Sequence, residues 1–211
     1  MTGIAARERA SLVDLLQELG PDAPTLCEGW ETQQLAAHLV AREGRPDALP
    51  GILIPALHDR TKRIEAQTLE RSSYPDLVRS IAGGPPFGPL GLPGLADAVN
   101  VHEFFVHHED VRRAQPGWTA RALPADTVEA LRRRLFALAP LLFRGLRGVR
   151  LHLETPDGRR RTVGRGDESV VISGELPELF LYAFGRRTTA EVSISGSVTG
   201  QAKLAAANLR Q

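Results

Sequence analysis

The sequence predicts an α+β protein, with a helical bundle at the N-terminus and a smaller domain of strands and helices after it. Up to about residue 147, apolar side chains recur at spacings of three and four residues between Gly and Pro breakers, as in amphipathic helices. From Val149 onwards, apolar and polar residues alternate, as in half-buried strands. A chain of 211 residues is long enough for two small cores. We therefore expect domains over residues 1–147 and 148–211.

Six helices are predicted in the N-terminal part, with Gly and Pro residues in most of the segments between them. The first carries leucines on one face and ends at Gly20-Pro21. Residues 83–94 contain nine Gly or Pro among twelve, so a long loop is expected there, and long loops in compact domains are often functional. This loop leads directly into the helix that starts at Leu95. The predicted helices cover residues 7–19, 30–43, 59–69, 74–82, 95–114 and 124–146.

The C-terminal part is predicted to combine a small sheet with two helices. Residues 149–154 and 160–163 alternate on either side of Asp157-Gly158, which predicts a β-hairpin with a tight turn. Two more strands are expected over residues 169–173 and 191–195, and helices over residues 175–185 and 201–209.

Composition excludes several classes of function. The 26 Lys and Arg residues balance 25 Asp and Glu residues, so the chain has no basic character that would favour nucleic acid. No run approaches the roughly 18 apolar residues that a bilayer requires, so no membrane partner is expected. The single cysteine, Cys27, allows no internal disulfide, which fits a reducing cytoplasm. The expected partner is a small molecule or thiol, and both monomer and homodimer remain open.

The helix over residues 95–114 places three groups that can carry chemistry on one stripe. At 100° per residue, Glu103, His107 and Asp110 share a face with small and branched apolar residues. Glu103 and His107 are one turn apart, near enough either to bind one metal ion or to form a hydrogen-bonded pair. On the same helix, His102 falls at the edge of this face and His108 beyond it, so both are expected at the surface or, for His108, at a domain boundary.

A third candidate ligand, His38, is expected to face the interior from the helix over residues 30–43. A single histidine in that position is more often a core residue with its hydrogen bonds satisfied. Two His and one Glu from two helices, however, match the three protein ligands of a Zn²⁺ site or an Fe²⁺ facial triad, which leave open positions on the ion. The spacing alone leaves the metal site and the structural interpretation equally open.

Three further residues have two interpretations each. Asp110 could orient the His107 imidazole, or pair with an arginine on the helix surface. Arg42, one turn beyond His38, could hold an anionic substrate or thiol, or extend into solvent. Cys27 could be a nucleophile or a ligand, or a small buried side chain; the second is the more common behaviour of a single cysteine, so Cys27 is assigned no role.

Two stretches carry a resemblance to a known family, TLCEGWETQQLAAHLVAREGRPDALPG (residues 25–51) and LPGLADAVNVHEFFVHHEDVRRA (residues 92–114). They resemble the metal-binding helical domain of the DinB-like superfamily, and within it an uncharacterised branch of the mycothiol-dependent maleylpyruvate isomerase-type proteins. The segment GELPELFLYAFGR (residues 174–186) resembles the sterol-carrier-like C-terminal domain of the same family. The resemblance implies that the helical domain is a four-helix bundle whose metal ligands fall on His38, Glu103 and His107.

The resemblance also implies a function. An ion held by two neutral His and one carboxylate keeps a positive charge and can bind a thiol as the thiolate, the nucleophile for transfer to or isomerisation of a small electrophile. Mycothiol is the implied thiol, and Zn²⁺ is the first expectation for the metal, with Ni²⁺, Fe²⁺ or Mn²⁺ as alternatives. The alternative function is a non-catalytic protein that binds a metal or small ligand, in which the ion braces the bundle.

Overall fold

A computed structural model describes residues 3–44, 58–84 and 95–207, and these residues form an α+β structure. Most of the predicted Gly/Pro loop, residues 85–94, lies outside the described residues. None of the helices in the described ranges is both long and apolar enough to cross a bilayer. The helices are α1 (Ile4–Leu19), α2 (Thr32–Gly44), α3 (His58–Arg71), α4 (Tyr74–Gly83), α5 (Leu95–Arg113), α6 (Ala125–Leu142), α7 (Leu176–Ala183) and α8 (Val198–Ala206). The strands are β1 (Val149–Glu154), β2 (Arg160–Val163), β3 (Glu168–Ser173) and β4 (Ser193–Gly196).

The chain divides into two compact units, Met1–Ala120 and Arg121–Gln211. In the first unit, α1 packs against α4 and α5, and α2 packs against α3 and α4. Apolar side chains that recur at helical spacing on these elements are almost fully removed from water, which is the main stabilising contribution to such a unit. Its core includes Leu12, Leu16, Leu35, Leu39, Leu77, Ile81, Phe104 and Val111.

The division comes earlier than the domain boundary expected after residue 147, because α6 belongs to the second unit. Leu131, Leu135 and Ala139 lie one turn apart on α6 and are completely buried. This helix packs against α7 and β2. Its helical periodicity resembles that of the preceding helices, so the sequence pattern placed it with them.

The second unit contains a four-stranded mixed sheet in the order β2-β1-β3-β4. The predicted hairpin is present: β1 pairs with β2 antiparallel, and Gly158, with φ +81°, closes the turn by donating its N–H to the Thr155 carbonyl. β1 pairs with β3 in parallel and β3 with β4 antiparallel. Val149, Leu151 and Leu153 alternate on one face of β1 and are completely buried, as the period of two predicted.

Candidate metal centre

His38, Glu103 and His107 lie together in the first unit. Each offers one nitrogen or carboxylate oxygen, and these three atoms all lie within 4.8 Å of one another. The imidazole centroids of His38 and His107 are 5.2 Å apart, and the rings meet edge to face. The two helices α2 and α5 therefore bring together the three residues that the sequence singled out.

Glu103 and His107 are not hydrogen-bonded to each other. His107 Nε2 lies 3.6 Å from Glu103 Oε2, which is longer than an N–H···O bond. Two ligand atoms that each lie about 2.0–2.1 Å from the same tetrahedral metal ion are about 3.4 Å from each other. The observed separation is thus closer to that of two ligands on one cation than to that of a direct hydrogen bond.

Asp110 orients the His107 ring from the opposite side. His107 Nδ1 lies 2.9 Å from Asp110 Oδ2, and the aspartate side chain is completely buried. An ionised carboxylate only accepts hydrogen bonds, so this contact places the proton on Nδ1 and leaves the lone pair on Nε2, towards Glu103. Of the two interpretations of Asp110, the structure shows the contact with the imidazole.

His38 has a carboxylate partner of its own, which sequence reasoning missed. Its Nδ1 lies 2.7 Å from Glu65 Oε1 on α3. The Trp30 ring packs against the same imidazole at a centroid distance of 5.2 Å. Glu65 occurs in the highly charged segment TKRIEAQTLER, where no periodicity separates it from solvated acids.

Cys27, to which the sequence analysis assigned no role, also lies at this site. Its thiol donates to Asp110 Oδ2 at 3.3 Å, and its Sγ is 4.0 Å from His107 Nδ1. Cys27, His107 and Asp110 form a second group of three donor atoms within 4.8 Å of one another. The backbone N–H of Leu26 donates to the Asp110 carbonyl at 3.0 Å, which fixes this loop to α5.

Arg42 and His102 surround the Glu103 carboxylate. Arg42 is 5% exposed, so the solvent-directed interpretation is wrong: its Nε lies 3.4 Å from Glu103 Oε2, and another of its nitrogens donates to Asn100 Oδ1 at 2.8 Å. His102, expected at the surface, is also buried, and its Nε2 lies 3.3 Å from Glu103 Oε1. From Asn100 onwards, residues on nearly all sides of α5 are buried. A helical-wheel projection that assumes a single buried face therefore underestimates how many of its side chains are buried. His108, expected to point outwards, is buried against Glu8 at 3.1 Å for the same reason.

These neighbours keep the two ligands of α5 in the state that binds cations. Burial alone would raise the pKa of Glu103, but the hydrogen bond from His102 and the positive charge of Arg42 hold that pKa well below its ordinary value. Burial lowers the pKa of His107, and the hydrogen bond and charge of Asp110 offset only part of that effect. A carboxylate and a neutral imidazole are the forms that coordinate metals.

The formal charges of the site leave room for a divalent cation. Four charged residues described above lie at this site: Glu65, Glu103 and Asp110 are acidic, and Arg42 is cationic. With neutral imidazoles, these four residues carry a formal net charge of −2. Buried negative charge is costly unless it is compensated. The donor set of two imidazoles and one carboxylate therefore fits an ion of charge +2.

Comparison with known proteins identifies a fold. No protein-family profile matches the chain, and no curated protein matches its sequence. Among solved structures, the chain is similar to that of the mycothiol-dependent maleylpyruvate isomerase, with 18% identity, a TM-score of 0.54 and 92% of each chain covered. A histidine-to-alanine variant of that enzyme matches with 17% identity, a TM-score of 0.55 and the same coverage. At this level of identity the likeness shows a common fold, as the sequence resemblance implied.

Proposed function

We propose that this chain binds one divalent metal ion and uses it to activate a thiol for isomerisation of, or transfer to, a small electrophilic molecule. The observation that carries the proposal is the convergence of His38, Glu103 and His107 on one point, in a chain with the fold of a thiol-dependent isomerase. Zn²⁺ is the first candidate for the ion, since two imidazoles and a carboxylate are a common zinc donor set, and Ni²⁺, Fe²⁺ and Mn²⁺ suit the same donors.

The residues of the chain prepare the ligands. Asp110 holds the proton of His107 on Nδ1, and Arg42 with His102 keeps Glu103 ionised. When bound, a divalent ion would supply Lewis acidity and lower the pKa of a coordinated thiol. The activated sulfur is then the nucleophile, and mycothiol is the proposed thiol because the solved structures that share the fold are of a mycothiol-dependent enzyme.

Arg42 is also a candidate for contact with an anionic substrate or thiol. Its Nε is buried and has no hydrogen-bond acceptor among the described residues, although Glu103 lies within ion-pair distance. The amide nitrogen of Asn100, which is completely buried, likewise lacks an acceptor there. Two buried donors without acceptors are costly, and an anionic group on a ligand would satisfy them.

The wider architecture forms part of the same proposal. We propose that residues 1–147 contain a DinB-like four-helix bundle and that residues 148–211 correspond to a sterol-carrier-like domain. A small molecule or thiol, and neither nucleic acid nor membrane, is the proposed partner of a monomer or homodimer. A cytoplasmic location would suit a protein with a single cysteine and a thiol cofactor.

A second candidate function is a site in which the ion only braces the helices. The side chains of His38, Glu103 and His107 are 13%, 18% and 11% exposed, so little of the triad is open to solvent among the described residues. A structural site is closed and four-coordinate, whereas a catalytic site keeps a position for water or substrate.

A cobalt-substituted protein separates the two functions. Addition of mycothiol should change the d–d absorption and introduce a sulfur-to-metal charge-transfer band, whereas S-methylated mycothiol, which forms no thiolate, should leave the spectrum unchanged. A spectrum that does not change at saturating mycothiol would contradict the thiol-dependent function and support the bracing role.

A further inference from the structure

The contact between Glu65 and His38 connects a third helix, α3, to the candidate metal centre. The Glu65 carboxylate lies 2.7 Å from His38 Nδ1, and both side chains are largely buried, at 16% and 13% exposed. No other contact of the centre described above involves α3. Glu65 can therefore orient His38, a candidate ligand, as well as contribute to the packing of α3.

The packing of α2 against α3 has its own apolar contact. Ala41 and Ile64, which are 1% and 5% exposed, form a separate apolar cluster between the two helices. Ile64 precedes Glu65, and Ala41 lies three residues after His38, so the cluster is adjacent to the contact between Glu65 and His38. The apolar contact holds the helices together independently of the Glu65 charge.

The two imidazoles of the centre are held in the same way. Each has a carboxylate oxygen within 3 Å of Nδ1, from Glu65 for His38 and from Asp110 for His107. A carboxylate on Nδ1 fixes the tautomer, directs the Nε2 lone pair away from itself and increases the basicity of the ligand. The sequence separates these acids widely, yet the fold gives them equivalent positions.

We propose that Glu65 is a positioning residue for the metal centre: it holds His38 as the Nδ1–H tautomer and aims Nε2 at the ion shared with Glu103 and His107. This inference rests on the proposed metal site. It adds a residue on α3 to a centre that the sequence built from α2 and α5 alone.

Metal affinity in Glu65 variants tests the inference. Co²⁺ affinity is measured by competition with a chromophoric chelator for the wild type, Glu65→Gln and Glu65→Ala, with Glu70→Ala, an exposed acid on the same helix, as the matched control. Loss of a carboxylate partner of a metal-bound histidine typically weakens affinity about 10–100-fold, so Glu65→Ala should lose this much. Glu65→Gln, which keeps an acceptor without the charge, should lose less, and Glu70→Ala should match the wild type.

A second readout separates positioning from mere stabilisation. Long-range ¹H–¹⁵N spectra of the metal-free protein should show His38 as the Nδ1–H tautomer in the wild type and a mixture of tautomers in Glu65→Ala. Thermal unfolding of the metal-free variants establishes that each is folded.

The outcomes distinguish this inference from the proposed function. Equal Co²⁺ affinity in folded Glu65→Ala and the wild type, or an unchanged His38 tautomer, would overturn the role of Glu65 and leave the metal site standing. A wild type that binds no Co²⁺ would overturn the metal site itself.

Discussion

Asp110 is the residue on which most contacts of the centre converge. Its carboxylate accepts from the His107 imidazole and from the Cys27 thiol, and its backbone carbonyl accepts from Leu26. The side chain is completely buried, so contacts within the protein replace its contact with water. One aspartate thus orients a candidate ligand, His107, and also attaches the loop before α2 to α5.

Replacing Asp110 by Asn should weaken metal binding about 10–100-fold, because the amide loses the negative charge that favours the Nδ1–H tautomer of His107. Isothermal titration with Zn²⁺ measures the affinity, and Asp14→Asn, a change of an exposed aspartate on α1, is the control. Wild-type affinity in a folded Asp110→Asn protein would show that the contact does not support a metal ligand.

The stability of the metal-free protein should depend on pH through His107. Its pKa is lowered in the folded state from the ordinary 6.5, so between the folded pKa and 6.5 the unfolded chain binds more protons than the folded protein. The free energy of unfolding should therefore increase as pH rises through that window. Urea unfolding in the presence of EDTA measures the slope, and His107→Gln, which cannot take up the proton, should have a smaller one. Identical slopes in the two proteins would contradict the lowered pKa.

At the scale of single residues, the sequence predicts the candidate ligands but not the residues that support them. His38, Glu103 and His107 could be selected because each lies on the inward face of its own helix, which the periodicity of one segment reveals. Glu65 and Cys27 could not, because their roles depend on which helix and loop lie beside the imidazoles. That information is absent from the pattern of any single segment.

Among the elements, one largely buried arginine on α1 connects that helix to α2, α4 and α5. Arg9 forms an ion pair with Glu43 at the end of α2, donates to the Ile81 carbonyl of α4 at 2.9 Å and lies over the Phe104 ring of α5 at 4.3 Å. The Glu43 side chain is 4% exposed. The guanidinium therefore contacts three other helices, and its charge is compensated by Glu43.

Removal of the Glu43 carboxylate should destabilise the protein substantially. Glu43→Ala leaves the Arg9 charge buried with fewer partners, and breaking such a pair costs about 3 kcal/mol of unfolding free energy. Arg79→Ala breaks the exposed Arg79–Asp76 pair on α4 and should leave that free energy nearly unchanged, because solvent screens both charges. Urea unfolding of both variants makes the comparison, and a Glu43→Ala effect as small as that of the control would refute the role of the pair.

The sequence predicted the positions of helices and strands that end at Gly or Pro residues well, but it did not predict how deeply the side chains of α5 are buried. The strand and helix positions followed from the change of period at Val149 and from residues such as Gly20 and Gly158, whose conformations end or reverse elements. The degree of burial of α5 did not follow, since its polar residues suggest one exposed side. His102, His108 and Arg42 are buried because other charged groups compensate them within the fold.

For the whole molecule, the division into two units shows a limit of periodicity. A helical pattern states that α6 has an apolar face, but not which partner covers it. Leu131, Leu135 and Ala139 are buried within the unit that contains the sheet. Contacts between segments that are distant in sequence decide to which unit a helix belongs. The α+β class could be predicted without knowledge of these contacts.

Metal removal should affect the centre far more than the fold. The first unit has its own apolar core, so chelation by EDTA should lower Tm through loss of binding energy but leave the helical circular dichroism at 25 °C essentially unchanged. Circular dichroism before and after chelation makes the measurement. A collapse of helicity on chelation would instead favour an ion that braces the helices.

The most direct test is the metal content of purified protein, measured by mass spectrometry of the dissolved sample. The wild type should hold about one divalent ion per chain, since its three ligands form one site. His38→Ala and Glu103→Ala should hold almost none, while His152→Ala, which removes a histidine on β1 of the other unit, should hold as much as the wild type. Normal metal content in folded His38→Ala and Glu103→Ala proteins would contradict the assignment of the centre.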